Sequence, residues 1–401
     1  MNTNVLRVAM LAMGFNGLSA QAADVCVHSG VTPTAAATPI VATGDNFNSL
    51  QVAWNPDRSE YLAVWNLFAD GEHQLYARRL HADGTPVADA VRIAHDGAAI
   101  IDPQVAAASG HDSYLVVYQT QNTPFNGARG LRLDGTATLL GDPFAISTAG
   151  AEPAVVYSAA TQRFLFSGRG VTLSAQYVLP DGTLAGDAIT LAAISDGAPA
   201  PNGSLAFAGD GRAFANWRNQ SARTLAGRRL AADGSLVGSI ADYSPEMTAP
   251  GRAAYTVWRG ADDRFLVLYG NADGNRVAWL DVAADGTGSA VQTVASGTDL
   301  SAIGIGIDDA TQAAVLAWGL PETASELGEI RAQLLAADGS LADAPVPLAA
   351  AVAGPNRAHI ATDRARGAGL LVWPGVDAAY ARPFAYGCLL HDAIFGDGFD
   401  G

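Results

Sequence analysis

The sequence predicts an all-β fold, a seven-bladed β-propeller, on three observations. An Asp-Gly pair follows a short strand-like segment six times, at Asp83-Gly84, Asp134-Gly135, Asp181-Gly182, Asp233-Gly234, Asp285-Gly286 and Asp338-Gly339. The steps between them are 51, 47, 52, 52 and 53 residues, which suits one four-stranded blade better than a helical or leucine-rich repeat. An apolar or aromatic run ends about 15 to 20 residues before each pair, and a seventh run, Gly369-Leu-Leu-Val-Trp373, has no such pair after it.

In chain order, the first segment reads as an export signal. Arg7 supplies the positive charge, Val8 to Leu18 a modest apolar stretch, and Ala20-Gln21-Ala22 a small-x-small cleavage site, so residues 1–22 are expected to be removed. Such a stretch is too short to anchor the chain across a bilayer, and no other segment is a transmembrane candidate. Residues 23–388 form the propeller, and 389–401 a tail.

Within each unit the run is the second strand: Tyr61-Leu-Ala-Val-Trp65, Tyr114-Leu-Val-Val-Tyr118, Phe164-Leu-Phe166, Phe214-Ala-Asn-Trp217, Phe265-Leu-Val-Leu-Tyr269 and Ala314-Val-Leu-Ala-Trp318. Short, nearly continuous apolar runs fit strands covered on both faces by neighbouring blades. A weaker alternating strand precedes each, for example Leu50 to Trp54, Gln104 to Ala107, Ala154 to Tyr157 and Ile303 to Ile307. A third follows, such as Leu75 to Leu80 or Arg276 to Leu280, and the Asp-Gly turn opens a fourth. Ser167-Gly168 and Ala215-Asn216 interrupt the pattern in units three and four.

The seventh unit has a third strand at Ala379 to Phe384 but no fourth. Ser29-Gly30-Val-Thr-Pro, continuing to Ile40-Val-Ala, resembles the turn and fourth strand of the first unit, Asp83-Gly84-Thr-Pro-Val, so an N-terminal strand is expected to complete the last blade and close the ring. The only cysteines, Cys26 and Cys388, flank that break. In an exported chain they are expected to form a disulfide in place of the missing turn, worth about 5 kcal/mol in the chain-entropy model.

Tyr61-Leu-Ala-Val-Trp65 followed by Arg79-Leu-His-Ala-Asp-Gly84 resembles secreted bacterial repeat proteins with blades of the form Tyr-Leu-Val-Val-Trp…Arg-Leu-x-x-Asp-Gly, over about residues 45 to 387. The resemblance implies a propeller of unassigned function and an exported chain, and supplies no catalytic residue. The closing Ile394-Phe-Gly-Asp-Gly-Phe-Asp-Gly401 is similar to Ile-Phe-x-Asp-Gly-Phe-acidic tails of other secreted proteins of Gram-negative bacteria.

Composition narrows the function. The formal charge is −16, all 23 basic residues are Arg and none is Lys, with 49% apolar residues to build a core. With no basic run or face, nucleic acid is not the expected partner. No His-Glu-x-x-His, Gly-x-Ser-x-Gly, phosphate-loop or dinucleotide motif occurs, nor a Ser-x-Asp-x-Gly-x-Thr-Trp box. The seven His residues form no close metal-ligand pair, and most read as loop residues. The alternating glycines of Ile303-Gly-Ile-Gly-Ile307 read as a strand with one crowded face.

The loops leading into the first strands of a propeller surround one mouth of its channel. Here they bring Asp102, Glu152 and Asp299 to similar blade positions. Three carboxylates there could hydrogen-bond a sugar or hold a cation such as calcium, although Asp102-Pro103 and Glu152-Pro153 also read as ordinary strand-start turns. Arg78, Arg129 and Arg228 recur at matching distance from their turns and are expected to pair structurally with turn carboxylates. The expectation is a secreted or periplasmic, monomeric binding module for a glycan, small ligand or envelope protein. The alternatives are a carbohydrate-active enzyme using the mouth carboxylates, and a purely structural envelope protein.

Overall fold

The computed structural model describes residues 28–41, 46–69, 71–95, 99–121, 126–148, 150–193, 199–200, 204–244, 254–271, 273–321, 327–352, 357–375 and 378–389. The expected signal peptide, Cys26 and the tail from residue 390 lie outside them. So do residues 122–125 and 322–326, within two loops following second strands.

Seven antiparallel sheets follow one another along the chain. Six are meanders, at 46–95, 99–147, 151–192, 199–244, 254–296 and 301–352, blades 1 to 6. Blade 7 comprises His359–Asp363, Ala368–Pro374 and Ala379–Leu389, and takes its outer strand from His28–Pro33 and Thr38–Val41. Gly30 stands opposite Gly387 and Pro33 opposite Phe384, while Thr38 pairs with Ala381 and Val41 with Ala379. The inner strand of each blade packs against the next, and that of blade 7 against that of blade 1. The ring of seven blades is closed by the N-terminal strand.

No blade has a core of its own. The buried apolar side chains fall into seven clusters, and each joins two adjacent blades. That explains why the second strands are apolar on both faces: all of Tyr61 to Trp65 is at most 1% exposed, the two sides of the strand serving different neighbours. At about 25 cal/mol per Å² of apolar surface, it is blade-to-blade contact that holds the ring.

One face carries the loops leading into the inner strands; the opposite face carries the first hairpin of each blade. Each first hairpin has a positive-φ residue just before its second strand, namely Ser59, Asp112, Gln162, Gly211, Asp263, Gln312 and Gly367, and that of blade 2 has a second at Gly110. Several of these turns are tied to the next blade. Arg58 makes a two-point ion pair with Asp112 at 2.7 Å, Arg212 reaches Asp263 at 2.9 Å, Ala261 N donates to Gln312 Oε1 at 3.0 Å, and Arg364 reaches Asp309 at 2.7 Å.

The Asp-Gly pairs form tight hairpins in which Asp Oδ1 accepts from the backbone N–H of the following Thr or Ser, as Asp83 does from Thr85 at 2.9 Å. Gly84, Gly182, Gly234, Gly286 and Gly339 hold φ between 82° and 94°, a region open to glycine. Blade 2 differs. Its hairpin closes from Asp134 N to Thr138 O, so Asp134 opens the turn and Ala137, at φ 65°, holds the place Gly takes elsewhere.

That two-residue shift corrects the arginine alignment. Arg129 is not the counterpart of Arg78 and Arg228, and the partners of those two are backbone carbonyls rather than turn carboxylates. Arg78 donates to Ile40 O at 2.6 Å and Arg228 to Leu191 O at 3.1 Å, in each case the outer strand of the preceding blade. Arg382 does the same toward Leu348 O at 2.8 Å. Asp89, the one carboxylate near Arg78, is fully exposed at 3.9 Å, where an ion pair contributes little.

Candidate functional site: the channel mouth

The inner strands begin earlier than their sequence suggests. Asp102-Pro103 and Glu152-Pro153, read as strand starts, lie inside the strands Ala99–Ala108 and Ala151–Ser158. Both sit where the register of the ladder slips, between Ile101 and Gln104 and between Ala151 and Ala154. Each is a bulge whose acidic residue has positive φ, 49° at Asp102 and 48° at Glu152. A residue before proline is ordinarily held in the extended region, so both are strained, and bulges of this kind re-aim a side chain.

Both acidic residues line a central cavity of about 460 Å³ whose walls come from all seven inner strands. Beyond them the lumen is bordered by Gln51, Gln104, Ser204, Thr256 and His359 alternating with apolar residues such as Val52, Val105 and Ile305. Arg357, exposed, also borders the cavity, from blade 7. Asp299 has the same positive φ, 52°, but is exposed and is not part of the cavity wall. Two of the three expected carboxylates therefore share the channel and the third stands outside it. Among the described residues no group of three His, Cys, Asp or Glu side chains is placed to hold a metal ion, and two carboxylates fall short of the six to eight oxygens calcium takes.

The electrostatics of the pair are unusual for carboxylates. Burial pushes the Asp102 carboxyl above its ordinary range. Glu152 is pushed up to about 7, chiefly by burial and then by the Asp102 charge, against a smaller opposing pull from Arg169. No hydrogen bond reaches the Asp102 carboxylate from the described residues, so its oxygens remain available to a ligand.

Deeper in the lumen the blades close in. His359 shares a 2.9 Å hydrogen bond with the Gln51 amide of blade 1, and its ring meets Tyr255 of blade 5 edge-on at 6.3 Å. Enclosure drives the His359 pKa down to about 4 and that of Tyr255 up. The imidazole is therefore neutral, and with the Gln51 amide nitrogen donating, its proton sits on Nδ1. At the far end Arg364 reaches past blade 6 to Trp258 O at 3.1 Å.

Blade 6 permits this narrowing through its glycines. A Cβ on Gly304 would lie 2.4 Å from Ile360, and one on Gly306 2.3 Å from Thr362, so the inner strand of blade 7 presses against bare backbone. The crowded face expected of Ile303 to Ile307 is thus the contact with blade 7.

Sequence reasoning missed His359, Gln51 and Thr256. His359 opens the strand His359–Asp363. The available signal was a polar residue recurring among apolar ones at alternate positions of successive inner strands, as in Leu50-Gln51-Val52.

No protein-family model matches the chain, and no curated protein sequence matches it. Among solved structures it is similar to the BP39L lectin from Burkholderia pseudomallei, with TM-score 0.60 and 12% identity over 87% of this chain and 97% of that one. It also matches the NanB sialidase from Streptococcus pneumoniae, with TM-score 0.48 and 10% identity over 86% of this chain and 70% of that one. At such identities the first of these likenesses establishes the shared fold, a β-propeller.

Proposed function

We propose that the protein is an exported propeller that binds a glycan through the channel mouth. The observation that carries this reading is the pair of strained bulges in adjacent blades, which aim Asp102 and Glu152 into one polar cavity of about 460 Å³, within the size range of ligand pockets. The fold shared with a lectin supports it. The Asp102 carboxylate can accept two sugar hydroxyls, and Gln104 and Arg357 on the cavity wall supply donors.

Binding to a broad glycan array, followed by titration calorimetry, tests the proposal. Asp102→Asn and Glu152→Gln are each expected to weaken affinity at least tenfold, about 1.4 kcal/mol, with the melting temperature of the protein retained. Undiminished binding in both folded variants would sink it. A second reading rests on the raised Glu152 pKa beside Asp102, the asymmetry of an acid and base pair in glycoside hydrolysis. Cleavage of an array glycan that disappears in Glu152→Gln would favour catalysis; intact glycans after prolonged incubation would exclude it.

Export is supported by the Arg7 to Ala22 segment and implies an oxidising compartment for Cys26 and Cys388. Such a compartment favours the proposed disulfide between Cys26 and Cys388, and the closing ladder places Ser29 opposite Cys388. Non-reducing peptide mapping of the mature protein should yield a Cys26–Cys388 peptide; two alkylatable thiols would refute the bridge.

A further inference from the structure

The junction between blades 2 and 3 has the smallest core cluster among the described residues, ten buried side chains centred on Phe164 and Phe166. Among the described residues no side-chain hydrogen bond joins its two first-hairpin turns, in contrast to the junctions tied by Arg58, Arg212 and Arg364. A cavity of about 530 Å³ opens there on the face opposite the channel mouth.

The groups around it are already oriented. Arg132 donates from Nε to Pro180 O at 2.9 Å and from Nη1 to Leu140 O at 3.3 Å, which fixes the guanidinium and leaves Nη2 without a partner among the described residues. Asp181 faces the same space, and hydrogen bonds from Thr183 hold its carboxyl below the ordinary range and so ionised. Leu140, Leu179 and Pro180 give one apolar wall, with His111 and Ser113 completing the rim.

We propose that this cavity is a second ligand site and takes a short neutral saccharide. A sugar ring offers what these groups lack: hydroxyls that accept from Arg132 Nη2 and donate to Asp181, and a C–H face for the aliphatic wall. The fixed Asp181 charge disfavours a sugar carboxylate, so the neutral ligand is selected by repulsion of its acidic analogue.

The test is titration of the full-length mature protein with neutral methyl hexosides and disaccharides, alongside their uronate counterparts. Saturable binding of a neutral saccharide is expected, weakened at least tenfold by Arg132→Gln and by Asp181→Asn, with the uronates weaker for the parent. Asp181→Asn keeps the side-chain oxygen that accepts from Thr183 N, so it stays decisive if Arg132→Gln melts early. The inference is overturned if no neutral saccharide saturates, if uronates bind the parent more tightly, or if Asp181→Asn binds like the parent. Loss of binding in Glu152→Gln with retention in Asp181→Asn would assign the saccharide to the channel and overturn it equally.

Discussion

At the scale of single residues, the channel holds two groups whose titrations oppose each other. Glu152 has a folded pKa of about 7 against 4.5 for the free side chain. Between those values the folded state binds the extra proton, so stability is greatest below pH 4.5 and falls as pH rises toward 7. After discounting for solvent screening the effect is on the order of 1 to 2 kcal/mol. His359 works the other way. Its pKa drops from 6.5 to about 4, so the stabilisation is complete above pH 6.5 and is lost as pH falls through 4, on the order of 3 kcal/mol. Urea unfolding from pH 4 to 8 should show Glu152→Gln flattening the decline above pH 4.5 and His359→Gln flattening the decline below 6.5. Parallel curves for parent and variants would contradict both assignments.

At the scale of the element, the hairpins separate a motif's sequence from its geometry. Gly234→Ala places a Cβ 2.7 Å from the Tyr177 ring at φ 94° and is expected to lose about 1 to 3 kcal/mol. Ala137→Gly relieves a left-handed alanine and should gain about 0.5 to 1 kcal/mol, both read by thermal melting. Equal effects at the two positions would mean that the blade 2 turn is not shifted. The Asp-Gly pair was legible because five of six instances place glycine where φ is positive. Blade 2 misled because Asp134-Gly135 satisfies the same local hydrogen bonds two residues early, and only the closing bond from Asp134 N to Thr138 O distinguishes the two. Asp102 and Glu152 were legible as acidic residues near the mouth, since Asp-Pro and Glu-Pro announce a backbone irregularity. Their aim into the lumen was not, because a bulge and a turn share the same residues and differ in what pairs on either side. Asp299 has similar φ and still points elsewhere, for it precedes its strand, Ser301–Ile307, instead of interrupting it.

At the scale of the whole molecule, stability is a property of the closed ring. Val31 and Ile40 of the closing strand are 6% and 0% exposed, and they enter the cores on both sides of blade 7. Removing residues 23–41 is therefore expected to abolish cooperative unfolding rather than lower it slightly, measured by calorimetry; a sharp transition near the parent temperature would show that six blades and three strands of the seventh suffice. Closure also has a temporal side. His28–Pro33 is made long before Ala379–Leu389, its partner in the ladder, so the closing strand must wait, unpaired, for that partner. Contacts so distant in sequence form slowly, and an edge left open meanwhile is a template for other chains. The seam that makes the finished ring durable is thus where a growing chain is most exposed to a neighbour, and a holding chaperone would act on the first forty residues.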